Sequence, residues 1–261
     1  MYDLTEKELL DNYNKLLQLV EEHFEGERKE NILKMYEFFQ DNIVVAPASG
    51  KPNYHYCFVG GYVMHVLHIV QTAKKLMKVY EEVGGVIDFT LEELVFSAMH
   101  HDLGKVGDLE HEYYIPQEDD WRRKKLNEWF TQNEEMAFMS VTDRALFLLQ
   151  HFDIKVNHNE YMAIKCSDGM YDDANIQYFK TYKPENAFES ALPYIIHWAD
   201  HMATVTEKSQ WTHKETLKTK KVNKSVEKIK KATETTSKFL SSDNDNAKDL
   251  FDELFGEKKW Y

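Results

Sequence analysis

The chain has 261 residues, 43% of them hydrophobic and 13% aromatic, enough to bury a sizeable core and too apolar for a disordered chain. Its net charge of −13 argues against general avidity for nucleic acid, although residues 208–261 carry 13 Lys against 9 acidic residues, which leaves −17 on the body. With two cysteines, no leader-like opening and no apolar run approaching the roughly 20 residues of a membrane helix, the expectation is a soluble cytoplasmic protein without disulfides or a membrane partner.

Helical periodicity dominates, Pro and Gly are scarce, and no alternating strand pattern of useful length occurs, so the expected fold class is all-α. Residues 4–24 and 28–41 read as amphipathic helices, followed by a connector from Ala46 to Phe58 punctuated by Pro47, Gly50 and Pro52. Further helices are expected over 60–82, 90–103, 121–137, 142–152, 158–166 and 188–206. Thr90 and Glu93 form a capping box that starts the second of these, and Gly104 stops it. The expected domain is 1–206, with the N-terminal helices of 1–45 packed on it, and 207–261 a Lys-rich tail, helical or flexible, ending in a short amphipathic segment at 247–256.

Twelve histidines make their placement the useful question. On helix 60–82, Val63, Val66, Val70, Ala73 and Met77 define the apolar stripe, with His65 at its margin and His68 on the polar side. On helix 90–103, Leu91, Leu94, Val95 and Ala98 face the core, and His101 and Asp102 continue that face while His100 sits aside. On helix 188–206, Leu192, Ile195, Ile196, Ala199, Met202 and Ala203 make the stripe with Asp200 at its edge, and His197, His201 and Thr204 turn toward solvent. Carboxylates at such positions need a cation, and no Lys or Arg shares either stripe. Two imidazoles and two carboxylates from three helices suit a divalent ion such as Mn²⁺, Fe²⁺, Co²⁺, Mg²⁺ or Zn²⁺. Any one of these residues alone reads more plainly as a cap or a paired core group, so the weight lies on the set.

Gly60-Gly61-x-x-x-His65, then His101-Asp102-Leu103-Gly104-Lys105, then Ala199-Asp200 in a late helix resemble the H…HD…D signature of the HD-domain phosphohydrolase superfamily, in its HDxGK variant. Residues 46–105, including Ala-Pro-Ala-Ser at 46–49 and Tyr54-His55, are similar to the HD part of the YhaM-type 3′–5′ exoribonucleases. The resemblance covers about 46–206. It implies a helical bundle in which His65, His101, Asp102 and Asp200 bind the metal, and a phosphoester or phosphoanhydride substrate, commonly a nucleotide. Asp102 would also orient the attacking water, Lys105 would reach a phosphate oxygen, and His55 would stand at the mouth as proton donor or phosphate contact.

His111, Tyr113, Arg122 and Lys125 combine aromatic and cationic groups suited to a base and a phosphate, and Asp168 opens a turn-rich loop that is a candidate to line the pocket. The plainer alternative for each is a solvated surface position. His197-x-x-x-His201 has metal spacing, but Trp198 stands where a zinc protease needs Glu, which rejects that reading. The Lys-rich run of 214–231 is a candidate contact for single-stranded nucleic acid, and 247–256 resembles short partner-docking peptides; a solvated tether and docking back on the domain compete with these. The leading expectation is hydrolysis of a small nucleotide or other phosphoester. The alternatives are a single-strand 3′–5′ exonuclease, an HD-type diiron oxygenase taking His111, His151 or His158 as extra ligands, and a non-catalytic binding module.

Overall fold

The computed structural model describes residues 4–213 apart from 182, 184 and 186. The basic run of 214–231 and the amphipathic segment 247–256 therefore lie outside the described residues.

The first helix, α1 (Glu6–His23), begins where the Thr5 hydroxyl accepts from the Glu8 amide and the Glu8 carboxylate accepts from the Thr5 amide, a reciprocal cap for two otherwise orphaned donors. It buries Leu9, Tyr13, Leu16 and Val20, a stripe at helical spacing. The segment expected as one helix over 28–41 is interrupted at Phe39 (φ −94°, ψ 10°) and becomes α2 (Gly26–Phe38) and α3 (Gln40–Val45). Next come α4 (Gly61–Glu82) and α5 (Leu91–His100), the latter opened by the Thr90/Glu93 capping box. A 3₁₀ turn (Leu103–Val106) then carries the chain away, with Asp102 at its head.

Of the helix expected over 121–137, only the first residues, to Lys125, are helical. A hairpin stands there instead: β1 (Tyr114–Pro116) pairs antiparallel with β2 (Phe130–Gln132), Tyr114 opposite Gln132 and Pro116 opposite Phe130, with the short α6 (Asp120–Lys125) between them. The reason is burial. No residue of α6 is buried, Trp121 and Leu126 face solvent, and Asn127 takes a left-handed φ of 49° that ends the turn. Phe130 instead reaches a small apolar cluster with Ala48, Tyr56, Cys57 and Phe58. The fold is thus predominantly helical rather than purely so.

Helices α7 (Val141–His151), α8 (His158–Lys165) and α9 (Ile176–Phe179) precede the long α10 (Leu192–His213). Asp88 accepts from Ser190 Oγ and the Ala191 amide at 2.9 and 3.0 Å, tying the entry of α10 to the loop before α5. Along its length α10 packs on α4 and α8, while α5 lies on both of those helices and α7 packs on the 3₁₀ turn. One core cluster runs from Leu9 of α1 to Ala203 of α10, so the N-terminal helices share the core of the bundle. The boundary expected at 206 falls inside α10. Among the described residues, no helix is long and apolar enough to cross a membrane.

The expected faces hold in outline, with three departures. Leu91 and Met202, expected inside, are 44% and 49% exposed, whereas His100, expected aside, is buried.

Candidate metal centre

Three elements bring the expected ligands together. His65 stands in the second turn of α4, whose N-cap Gly60 holds a left-handed φ of 83° and lets the connector fold back over the helix start. His101 is the C-cap of α5 and Asp102 heads the 3₁₀ turn, so both project from the end of one helix toward the N-terminal turns of α4. Asp200 comes from α10. His65 Nε2 lies 3.6 Å from Asp102 Oδ2 and 3.3 Å from Asp200 Oδ1; His101 Nε2 lies 3.5 and 3.9 Å from the same two atoms. His65 and His101 are almost fully buried, and neither Nε2 makes a hydrogen bond of acceptable geometry.

The outer ring nitrogens explain why both Nε2 atoms are available. His101 Nδ1 donates to the Ala98 carbonyl at 2.8 Å, which can only accept, so its neutral ring carries its lone pair on Nε2. His65 Nδ1 lies 2.9 Å from Glu207 Oε2, with the same consequence for a neutral ring. Ligands about 2.0–2.2 Å from one ion sit roughly 2.8–3.6 Å from their neighbours in octahedral or tetrahedral arrangements. The observed separations of 3.3 to 3.9 Å fall on or just above that range. The buried His65, His101 and Asp102 cluster can therefore hold a metal ion, and Asp200 faces the same space.

Electrostatics point the same way. Burial works against an imidazolium at His65, but the Glu207 and Asp200 carboxylates outweigh it and raise the group to about 10. Burial likewise opposes the charged form of Asp102 and Asp200, yet Lys105 and His101 for the first, and His65 and His101 for the second, hold both carboxyls below the usual range. The centre favours positive charge, which Lys105 supplies beside Asp102 and, without a metal ion, a proton on His65 supplies beside Asp200 and Glu207.

No Lys or Arg shares the helical stripes, but Lys105 brings a cation from the 3₁₀ turn: its Nζ is 2.6 Å from Asp102 Oδ2, reached from one turn beyond His101. Burial disfavours its charge, and Asp102 more than restores it. His55 is buried with its ring 4.5 Å from that of His65, and neither nitrogen has a hydrogen-bond partner among the described residues. Burial, then the neighbouring His65 and Lys105 charges, push it down to about 3, so the ring is neutral. Asp168 is exposed at its surface, yet desolvation and the charges of Asp102 and Asp200 raise its carboxyl.

The remaining expected residues are held by other partners or face solvent. Tyr113 accepts from Gln132 Nε2 at 2.6 Å and carries Arg144 over its ring at 5.0 Å, though it lies within electrostatic reach of Lys105 and Asp102. His111 is engaged by Asp108 at 3.3 Å and Glu135 at 3.7 Å. Arg122 leans on Glu128 at 3.6 Å, and Lys125 is exposed on α6.

Glu207 and His68 were not anticipated. Glu207 is fully buried and also accepts from His68 Nδ1 at 2.7 Å. It lies seven residues after Asp200, close to two full turns, so it belongs to the same helical face. The wheel would have found it had the expected helix continued past 206.

Comparisons of this chain with family models, with curated proteins and with solved structures find no match.

Proposed function

We propose that this chain is a metal-dependent phosphohydrolase of the HD type acting on a nucleotide, with His65, His101, Asp102 and Asp200 holding a divalent ion. The observation that carries the reading is the pair of buried, unbonded Nε2 atoms facing two carboxylates at ligand spacing. The resemblance of His65, His101-Asp102, Gly104-Lys105 and Asp200 to the HD signature adds the phosphoryl chemistry. A mixed nitrogen and oxygen donor set suits Mn²⁺, Fe²⁺, Co²⁺, Mg²⁺ or Zn²⁺.

When bound, such an ion supplies Lewis-acid charge beside a phosphoryl oxygen and an activated water. The chain's own residues do the rest. Asp102, anchored by Lys105, presents its carboxylate where it can orient a water by accepting its proton in a hydrogen bond. The Lys105 ammonium stands where a phosphate oxygen would meet a fixed positive charge. His55, neutral at physiological pH, serves as a hydrogen-bond donor to a phosphate oxygen rather than as an imidazolium acid. Asp168, within electrostatic reach of Asp102 and Asp200, would accept a hydrogen bond from a sugar hydroxyl or a base amine. The surrounding negative charge makes these few cations decide which end of an anionic substrate enters.

The oxygenase alternative finds little support. His151 faces solvent, His158 is 66% exposed with Glu189 at 3.9 Å, and His111 is taken by Asp108 and Glu135. None of them joins the His65 group among the described residues.

The test is metal analysis of the purified full chain, then incubation with Mn²⁺ and a panel of mononucleotides, dinucleotides and labelled single-stranded oligonucleotides. Phosphate or pyrophosphate release from mononucleotides alone is expected, and it should be lost in Asp102→Ala. Shortening of oligonucleotides would move the assignment to an exonuclease. Oxygen uptake with two irons per chain, or full activity in Asp102→Ala, would overturn it.

A further inference from the structure

We infer that Glu207 is a positioning residue of the metal centre: by accepting Nδ1–H from both His65 and His68 it fixes the ring of His65 with Nε2 turned into the ligand cluster. This rests on the metal-binding reading of the preceding section, and not on which substrate is hydrolysed.

The geometry is specific. The Glu207 side chain is 0% exposed, and its two oxygens are divided between two donors, Oε2 to His65 Nδ1 at 2.9 Å and Oε1 to His68 Nδ1 at 2.7 Å. Burying a carboxylate without two such bonds would cost several kcal/mol. His65 and His68 lie one helical turn apart on α4, so a single residue of α10 clamps successive turns of its neighbour. A histidine whose outer nitrogen donates to a carboxylate has its tautomer and ring orientation set and its other nitrogen made more basic, the usual outer support of a metal-ligating imidazole. His101 has a weaker version, a backbone carbonyl at 2.8 Å. The two ligating rings are thus supported unequally, and the stronger support comes from the last turns of α10.

A plain buried ion pair would also hold α4 to α10, and the two roles separate on substitution. Gln at 207 keeps the shape but offers one acceptor and one amide donor. It can serve one of the two Nδ1–H groups, and facing His65 with its amide would drive that ring to the tautomer with its hydrogen on Nε2, which cannot ligate. His68→Gln leaves the bond between Glu207 and His65 in place.

The experiment is calorimetric titration of the metal-stripped full chain with Mn²⁺ alone, for wild type, Glu207→Gln and His68→Gln, with circular dichroism as a check of folding. Glu207→Gln is expected to bind Mn²⁺ roughly 10–100-fold more weakly, and His68→Gln within about threefold of wild type. Wild-type affinity in a folded Glu207→Gln overturns the inference while leaving the metal centre intact. A wild type that binds no Mn²⁺ overturns both. Binding without any phosphate release removes the hydrolase and leaves the positioning role standing. Should Glu207→Gln not fold, long-range ¹⁵N–¹H correlations on the Zn²⁺-loaded wild type decide: Nδ1–H with Nε2 ligated is expected for His65, and ligation through Nδ1 would overturn the assignment.

Discussion

Lys105 and the metal compete for the same oxygen. Its ammonium sits 2.6 Å from Asp102 Oδ2, an atom that also faces both imidazoles, so it partly neutralises the carboxylate that a divalent ion needs. Lys105→Met should therefore tighten Mn²⁺ binding, by roughly tenfold or more for the loss of one nearby like charge even at a near-aqueous effective dielectric, while lowering phosphate release about 100-fold through the missing phosphate contact. Parallel loss of affinity and rate would show instead that Lys105 organises Asp102. His100 offers a different test. Its Nδ1 donates to the Phe96 carbonyl at 2.8 Å and its Nε2 accepts from Tyr36 Oη at 3.1 Å, a neutral ring locked between two helices. Burial, and secondarily the Arg28 charge, push it down to about 3. A histidine depressed in the folded state contributes stability that is present above its unfolded pKa of about 6.5 and is lost as pH falls, because the unfolded chain takes up a proton the folded one refuses. The loss grows by about 1.4 kcal/mol per pH unit between those two values. Denaturant titrations from pH 7 to pH 4 should show a slope one proton smaller in His100→Gln than in wild type, and equal slopes would mean that His100 titrates freely when buried.

At the level of elements, the 3₁₀ turn after α5 matters most, because it aims Asp102 and Lys105. Gly104 lies against α7: a Cβ there would overlap the Val141 carbonyl oxygen, a backbone atom that cannot swing away. The buried Arg144 side chain of α7 also donates to the Gly104 carbonyl at 3.1 Å and to that of Met139 at 3.1 Å, pinning turn and helix together. Gly104→Ala should destabilise the fold by roughly 1–3 kcal/mol through overpacking and reduce Mn²⁺ affinity, since the strain is relieved by moving the turn that carries Asp102. Thermal melts and metal titration check both, and an unchanged melting temperature would show that α7 yields. This turn was legible in the sequence only as a helix stop. Helical stripes located His65, His101, Asp102 and Asp200 because each extends a long apolar face, whose burial is a strong and periodic signal. The hairpin of β1 and β2 was not legible, because its strands are three residues long and the intervening Trp121, Arg122 and Lys125 mimic an amphipathic turn that buries nothing. Glu207 was missed for the opposite reason: the fall in apolar periodicity after 206 hides a buried carboxylate that is stabilised by hydrogen bonds rather than by neighbours of its own type.

The metal centre joins α4, the end of α5 and α10 through ligands 36 to 135 residues apart in sequence, so its occupancy bears on the stability of the whole bundle. Without a cation, His65 takes up a proton and pairs with Asp200 and Glu207, its pKa raised to about 10 against an unfolded value near 6.5. A histidine raised in this way contributes stability that is fully present below the unfolded value and is lost as pH climbs through the folded one. The metal-free protein should thus weaken from pH 6.5 upward. With a divalent ion bound, His65 is a neutral ligand whose proton has been displaced, and that source of pH dependence disappears. Binding at neutral pH should therefore release close to one proton, seen as a calorimetric enthalpy that varies with the ionisation enthalpy of the buffer. At a metal concentration about 100 times its dissociation constant, the added stability is about 2.7 kcal/mol, or roughly 5–10 °C in melting temperature for a domain of this size. Because affinity rises as the competing proton is removed, that gap should be wider at pH 8.5 than at pH 6.5 at one fixed Mg²⁺ concentration. His65→Ala should abolish the gap at both. A metal-dependent shift that survives His65→Ala, or one that narrows with rising pH, would place the ion elsewhere in the molecule.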